Sequence, residues 1–217
     1  FSLEEIEEKI AVISIENPRN NVFSADDFES NFIEGLRKDY RLLQELVKEW
    51  SEIEQDPKLD TFLHALKEEF FNKQINPTGK LVVFTESAET ANYLTEKVEA
   101  FLKTKVLSVS SHNRNKIFET IQENFDANYD KEHKNDYNII ITTDVLAEGV
   151  NLHRANVIVN YDTPWNATRL MQRIGRVNRI GSSADVIYNY NFYPSQQGDE
   201  EIKLYRNALV KLQGFHT

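Results

Sequence analysis

Arg169, Arg173, Arg176 and Arg179 crowd into eleven residues that contain no acid. A guanidinium is planar, permanently charged and shaped for bidentate contact with phosphate. The spacing of three between Arg173, Arg176 and Arg179 keeps side chains on neighbouring azimuths of a helix or tight turn. Three such cations on one face repel one another unless an anion lies among them, so one chemistry open to this run is phosphate binding. A solvated basic helix face with carboxylate partners would use the same residues. Gly175 and Gly181 punctuate the run. Glycine inside a helix costs about 1 kcal/mol relative to alanine, so both imply a close backbone approach or a break. Three further segments are rich in hydroxyls and amides: Thr85-Glu86-Ser87, Ser110-Ser111-His112-Asn113-Arg114, and the stretch from Thr142 to Leu152, which contains Thr143, Gly149 and Asn151.

Elements of secondary structure must bring these segments together. Leu36, Tyr40, Leu43, Val47 and Trp50 step by four, three, four and three, which predicts an amphipathic helix over 26–50. Asp56-Pro57 reads as a helix start, with Leu59, Phe62, Leu63, Leu66 and Phe70 on its buried face. After the turn at Asn76-Pro77-Thr78-Gly79 the pattern changes to short apolar runs alternating with helices. Strands are predicted at 81–84, 106–109, 138–142, 157–160 and 186–192. Helices are predicted from a cap at Ser87 to Phe101 (Ala91, Leu94, Val98 and Phe101 inside), around Ile117–Phe125, near Thr168–Ile174, and over Ile202–Leu212. Residues 1–25 carry no clear period, and Asp126–Asp136 is polar enough to be a loop. Strands alternating with helices give a parallel sheet with helices on both faces. In such a sheet ligands bind beyond the carboxyl ends of the strands, where the four polar segments fall.

The chain has 217 residues, 40% hydrophobic and 28% charged, which fits a folded domain with an appendage. Its net charge of -10 argues against a simple nucleic-acid coat. The acidity is uneven: residues 1–75 hold 18 acids and 9 bases, the remainder 17 and 16. An acidic helical leader over 1–56 followed by an α/β domain over 57–217 is the expected division. The leader's carboxylates read as a solvated face or a docking surface for a protein partner. There is no cysteine, hence no disulfide or thiolate metal site, in keeping with a cytoplasmic location. No run approaches the ~20 apolar residues of a membrane span. The acidic FSLEEIEEKI is no signal peptide, and with Met171 the only methionine, Phe1 is not a natural start.

The string IIITTDVLAEGVNLHRANVIVNYDTPWNATRLMQRIGRVNRIGS strongly resembles the fifth and sixth motifs of superfamily 2 helicases and translocases, and LVVFTES resembles their fourth. The likeness runs from about Lys58 to Phe192. The PWN and RIG elements look like those of Swi/Snf-type translocases of double-stranded DNA, and QRIGRVNRIG is most similar to their bacterial branch. Ser182, where a glutamine is common, and Gly175-Arg176-Val177-Asn178-Arg179 depart from the usual Swi/Snf pattern. The resemblance implies a RecA-like fold, the second motor domain of a two-domain machine that uses ATP and Mg²⁺. It implies that Arg176 and Arg179 are arginine fingers and that Gln172 lies near the attacking water or γ-phosphate. Gly149 and Asn151 would lie against the nucleotide. Thr143, with Thr85 and Ser87, would bind a nucleic-acid phosphate, and Arg173 would brace the two motor domains. Partners so implied are duplex DNA and the N-terminal RecA-like domain. Glu148, where many RNA helicases carry arginine, disfavours an RNA helicase.

Half of such a machine is missing from the sequence. The only Gly-Lys pair, Gly79-Lys80, is followed by Leu81, so there is no phosphate-cradling G-x-x-x-x-G-K-[ST] loop. Asp199-Glu200 has the letters of a Mg²⁺-binding pair but opens a helix rather than ending a buried strand. The five histidines show no paired metal spacing. Trp165 is expected to anchor its helix in the core. The chain alone is therefore expected to hydrolyse no ATP. Half of an RNA helicase and an inactive protein-interaction module are the alternatives.

Overall fold

The computed structural model describes residues 8, 9, 11–13, 15, 23–147 and 149–195. It divides into two compact units, Phe1–Asp56 and Pro57–Thr217. In the first, a 3-10 turn at Ala25–Asp27 precedes helix α1, Phe32–Ser51. The stripe of Leu36, Tyr40, Leu43, Val47 and Trp50 is present on α1, and all five are exposed.

The second unit begins with α2, Pro57–Ala65, whose last turn widens into a π-helical turn at Leu66–Phe70. Five strands and three helices follow it: β1 (Leu81–Phe84), α3 (Ala88–Leu102), β2 (Val106–Val109), α4 (Phe118–Phe125), β3 (Ile139–Thr142), β4 (Val157–Asn160), α5 (Ala167–Val177) and β5 (Tyr188–Asn191), with only a 3-10 turn between β3 and β4. The sheet order is β2-β3-β1-β4-β5 and every pairing is parallel. Leu81 lies between Ile139 and Val157, and Phe84 between Thr142 and Asn160, so β1, β3 and β4 end at one level. From β1 the chain crosses to β2 at one edge, returns through β3 beside β1 and then passes β1 to β4 and β5. The connections after the neighbouring strands β1 and β4 therefore leave on opposite faces and open a crevice at the carboxyl edge.

Alternation along each strand builds a core on both faces. Leu81, Val83, Ile139, Ile141, Val157 and Val159 meet Phe62, Leu66 and Phe70, together with Ala91, Leu94 and Val98 of α3. Val82, Phe84, Leu107, Ile140 and Ile158 meet Ile121 and Phe125 of α4 and Val177 of α5. Each large apolar side chain buried this way contributes roughly 1.5–3 kcal/mol, which is why strands of only four residues hold. Ser87 caps α3, its Oγ accepting from Thr90 N at 3.1 Å.

Three expectations change. Phe101 is 44% exposed, because α3 has turned its last apolar residue off the sheet. Trp165 is 53% exposed: Asn166 starts α5 by accepting from Thr168 N, and the buried anchor of that first turn is Ala167. The fifth strand is shorter than its apolar run, since β5 pairs only with β4 and Val186 stays exposed. The helix expected over 202–212 and the pair Asp199-Glu200 lie outside the described residues. Among the described residues, no helix is long and apolar enough to cross a membrane.

Candidate nucleotide and nucleic-acid site

After β3 the chain runs through Thr143 into a 3-10 turn, Asp144–Leu146, and returns to β4 through Gly149 and Asn151. Leu146, Val150 and Leu152 are buried and fasten this loop to the sheet, while Gly149 is exposed and Asn151 half-buried. Gly149 needs its glycine: φ is +71°, and a Cβ there would lie 2.9 Å from Arg114 Nη2. Leu152 N donates to Arg176 O at 2.8 Å, tying the loop to α5.

On α5 the buried residues are Ala167, Leu170, Arg173 and Val177. Arg173 thus occupies the apolar stripe, and it is fully buried. Its Nε donates to Asp144 Oδ1 at 2.6 Å and Nη2 to Glu86 Oε1 at 3.0 Å. Nη1 donates to Asn160 Oδ1 and to Asp162 O, each at 3.0 Å. The guanidinium also lies 5.1 Å from the centre of the Phe84 ring. Arg173 therefore clamps the ends of β1, β3 and β4 within this unit. The expected brace between two motor domains is corrected, because the side chain has no exposed surface to reach across with. Arg169, at the rim, lies 3.4 Å from Asp144 Oδ2 and 3.5 Å from Glu86 Oε2.

The three-residue spacing does not place the guanidiniums on one face. Helix α5 ends at Val177, so Arg173 points inward, Arg176 is half-buried, and Arg179 belongs to the turn that follows. Arg179 folds back: its Nε donates to Gly175 O at 3.0 Å and its Nη1 donates to Asn151 Oδ1. Ser182 closes this turn, accepting from Arg179 N at 3.1 Å and donating to Val177 O at 2.9 Å. Gly181 has φ +90° and faces Asn128, where a Cβ would lie 3.2 Å from Oδ1. Gly175, by contrast, has open space where a Cβ would stand, so close packing within this unit does not explain it.

Sequence reasoning passed over two partners of Asn151 and Arg179. Asp126 ends α4 and is buried; its Oδ2 accepts from Asn151 Nδ2 at 3.1 Å and its Oδ1 from Asn128 N at 2.9 Å. His153, fully buried, brings Nδ1 to 3.6 Å from Asp126 Oδ1. Burial holds the His153 pKa below its ordinary value, with Arg179 acting in the same direction and Asp126 against it.

The residues expected to bind a nucleic-acid phosphate divide. Thr85 is fully buried and its hydroxyl donates to Ser87 O at 2.9 Å, so it braces the loop and offers nothing to a ligand. The Ser87 hydroxyl is engaged in capping α3. Thr143 is half-buried and its hydroxyl makes no cap hydrogen bond. Gln172 is half-buried on α5. His112 is exposed in the loop after β2, and Glu148 lies outside the described residues. Trp165 lines an open cleft with Lys58, Glu86, Ser87 and Asp162. Among the described residues no three His, Asp or Glu side chains converge to hold a metal.

Comparison with known proteins gives a consistent picture. The profile of the helicase conserved C-terminal domain matches residues 59–181. An ATP-dependent helicase of Bacillus subtilis, YqhH, is 52% identical over 52 residues, 24% of this chain and 9% of that protein. The ATP-dependent RNA helicase SUB2 of Eremothecium gossypii is 28% identical over 192 residues, 88% of this chain and 37% of that protein. The chain thus spans well under half the length of these curated relatives. The solved C-terminal part of the Fun30 ATPase domain superposes with a TM-score of 0.53 at 21% identity, over 71% of this chain and 45% of that one, a likeness of fold.

Proposed function

The chain belongs to the helicase conserved C-terminal domain family, and from that premise we propose that it is the second motor domain of an ATP-dependent translocase acting on double-stranded DNA. One observation carries the reading: the loop of Gly149 and Asn151 is joined to the end of α5 and the turn after it, by Leu152 N donating to Arg176 O and Arg179 Nη1 donating to Asn151 Oδ1, in a chain that has no phosphate-cradling loop. These residues fit half of an ATP site. The two guanidiniums suit a polyphosphate, the Asn151 carboxamide suits a ribose hydroxyl, and Gly149 lets a ligand approach the backbone. ATP, when bound, supplies the phosphoryl group whose transfer to water drives the machine. Arg176 and Arg179 stabilise charge on that group, a contribution of about 10³–10⁵ in rate for an arginine finger. Gln172, on the same helix, orients water. The Mg²⁺ ligands and the phosphate loop belong to a partner N-terminal RecA-like domain in a longer parent protein.

Thr143 remains as a nucleic-acid contact; the buried Thr85 and the capping Ser87 shape the loop beside it. The choice of duplex DNA rests on the Swi/Snf-like PWN and QRIG elements. The RNA helicases among the relatives support a second reading, half of an RNA helicase. The acidic α1 unit would recruit a protein partner. The test is ATP turnover by the parent protein without nucleic acid, with duplex DNA and with single-stranded RNA. Stimulation by duplex DNA is expected; stimulation by RNA alone would move the assignment to the second reading. The isolated chain should give no turnover, and robust Mg²⁺-dependent hydrolysis by it would overturn the half-site.

A further inference from the structure

We propose that Asp126 is the positioning residue for Arg179 and acts through the Asn151 carboxamide. The inference rests on the reading of Arg179 as the residue that reaches phosphate.

A carboxamide can turn end over end in nearly the same space, exchanging its acceptor oxygen for its donor nitrogen. Only one of the two orientations is useful to Arg179. With Oδ1 outward Asn151 accepts from the guanidinium, as in the structure; with Nδ2 outward it would present donor to donor. Asp126 decides between them. An ionised carboxylate only accepts, so it draws the Asn151 NH₂ inward, at 3.1 Å, and turns the oxygen toward Arg179. The carboxylate is itself fixed. It is buried at the end of α4, and its second oxygen is occupied by Asn128 N at 2.9 Å.

Together with the bond from Arg179 Nε to Gly175 O, the relay holds Arg179 by two of its five donors. The rest of the fork is then set in direction before a ligand arrives. The relay spans three separate elements: the end of α4, the loop before β4 and the turn after α5. None of its bonds is required to form an element. The end of α4 is closed by Asp126 N donating to Gln122 O, a backbone bond that a side-chain change leaves in place.

The test is steady-state ATP turnover of the parent protein, with Asp126→Asn, Arg179→Ala and the double variant beside wild type. An asparagine at 126 has one acceptor oxygen for two donors, so either Asn151 or Asn128 loses its partner. A second variant, Asp126→Ser, keeps a hydroxyl for the Asn128 amide and is too short for Asn151; it serves if Asp126→Asn melts below the assay temperature. The expected result is a fall in kcat of about ten- to a hundredfold, the size of one hydrogen bond to a charged group, and it is read on kcat because the Asn151 carboxamide also faces the ribose and moves KM for ATP on its own account. In the Arg179→Ala background the same change at 126 should cost nothing further. Equal losses in both backgrounds would mean a structural role and overturn the proposal. Wild-type turnover in both Asp126 variants beside a collapsed Arg179→Ala would overturn it while leaving the arginine reading intact. Wild-type turnover in Arg179→Ala would overturn the reading and the proposal together.

Discussion

Replacing Arg173 with methionine removes one guanidinium and breaks four hydrogen bonds at once: to Asp144, Glu86, Asn160 and the Asp162 carbonyl. Methionine fills most of the volume and can lie on Phe84, so the loss is electrostatic rather than a cavity. Asp144 and Glu86 are left facing each other across the vacated site with only Arg169 at the rim. Removing one partner of a buried ion pair typically costs about 3–5 kcal/mol. The two carboxylates here are only partly buried, with side chains 29% and 42% exposed, and water relieves part of that cost. The expected destabilisation is therefore about 2–4 kcal/mol, read as a lower urea midpoint at unchanged slope. Arg173→Lys should recover little of it, since a single ammonium cannot hold β1, β3 and β4 together. A midpoint shift worth less than about 1 kcal/mol would refute the account of Arg173 as the clamp, because exposed pairs reach that much at most.

Gly149→Ala forces a side chain onto φ +71° and against Arg114, so the melting temperature should fall by about 2–8 °C and KM for ATP in the parent should rise. His153 is held below its ordinary pKa, so the unfolded chain binds more protons below pH ~6.5 and stability should drop on acidification. Urea titrations at pH 7.5 and 5.5 should show this loss, and His153→Leu should lessen it. Lys80 is pushed down to about 8 by burial, with the Arg154 charge adding to the effect. Between that value and its ordinary 10.5 the unfolded chain again holds more protons, so stability should rise with pH; the rise should vanish in Lys80→Met.

Much of the fold was legible because its signals are local. The apolar runs at 81–84 and 157–159 read as buried strands, and Ser87 followed by Thr90 is a cap readable from sequence. The inward turn of Arg173 was legible too: it stands three residues after Leu170 and four before Val177, on the apolar stripe. Its charge drew it into the phosphate cluster, although its partners Glu86 and Asp144 lie far away in sequence. Thr85 was misread for a related reason. Strand-end position predicts proximity to a ligand, but the hydroxyl turns back to its own loop. Asp126 left no local trace, since its tie to Asn151 exists only after α4 and β4 have been set side by side.

The most direct test is ATP turnover of the parent protein with duplex DNA present, wild type beside Arg179→Ala. The account predicts DNA-stimulated turnover that falls by about three orders of magnitude in the variant, with its melting temperature unchanged. Turnover in the variant equal to wild type would contradict the central claim that this chain supplies an arginine to the phosphate of a site completed elsewhere.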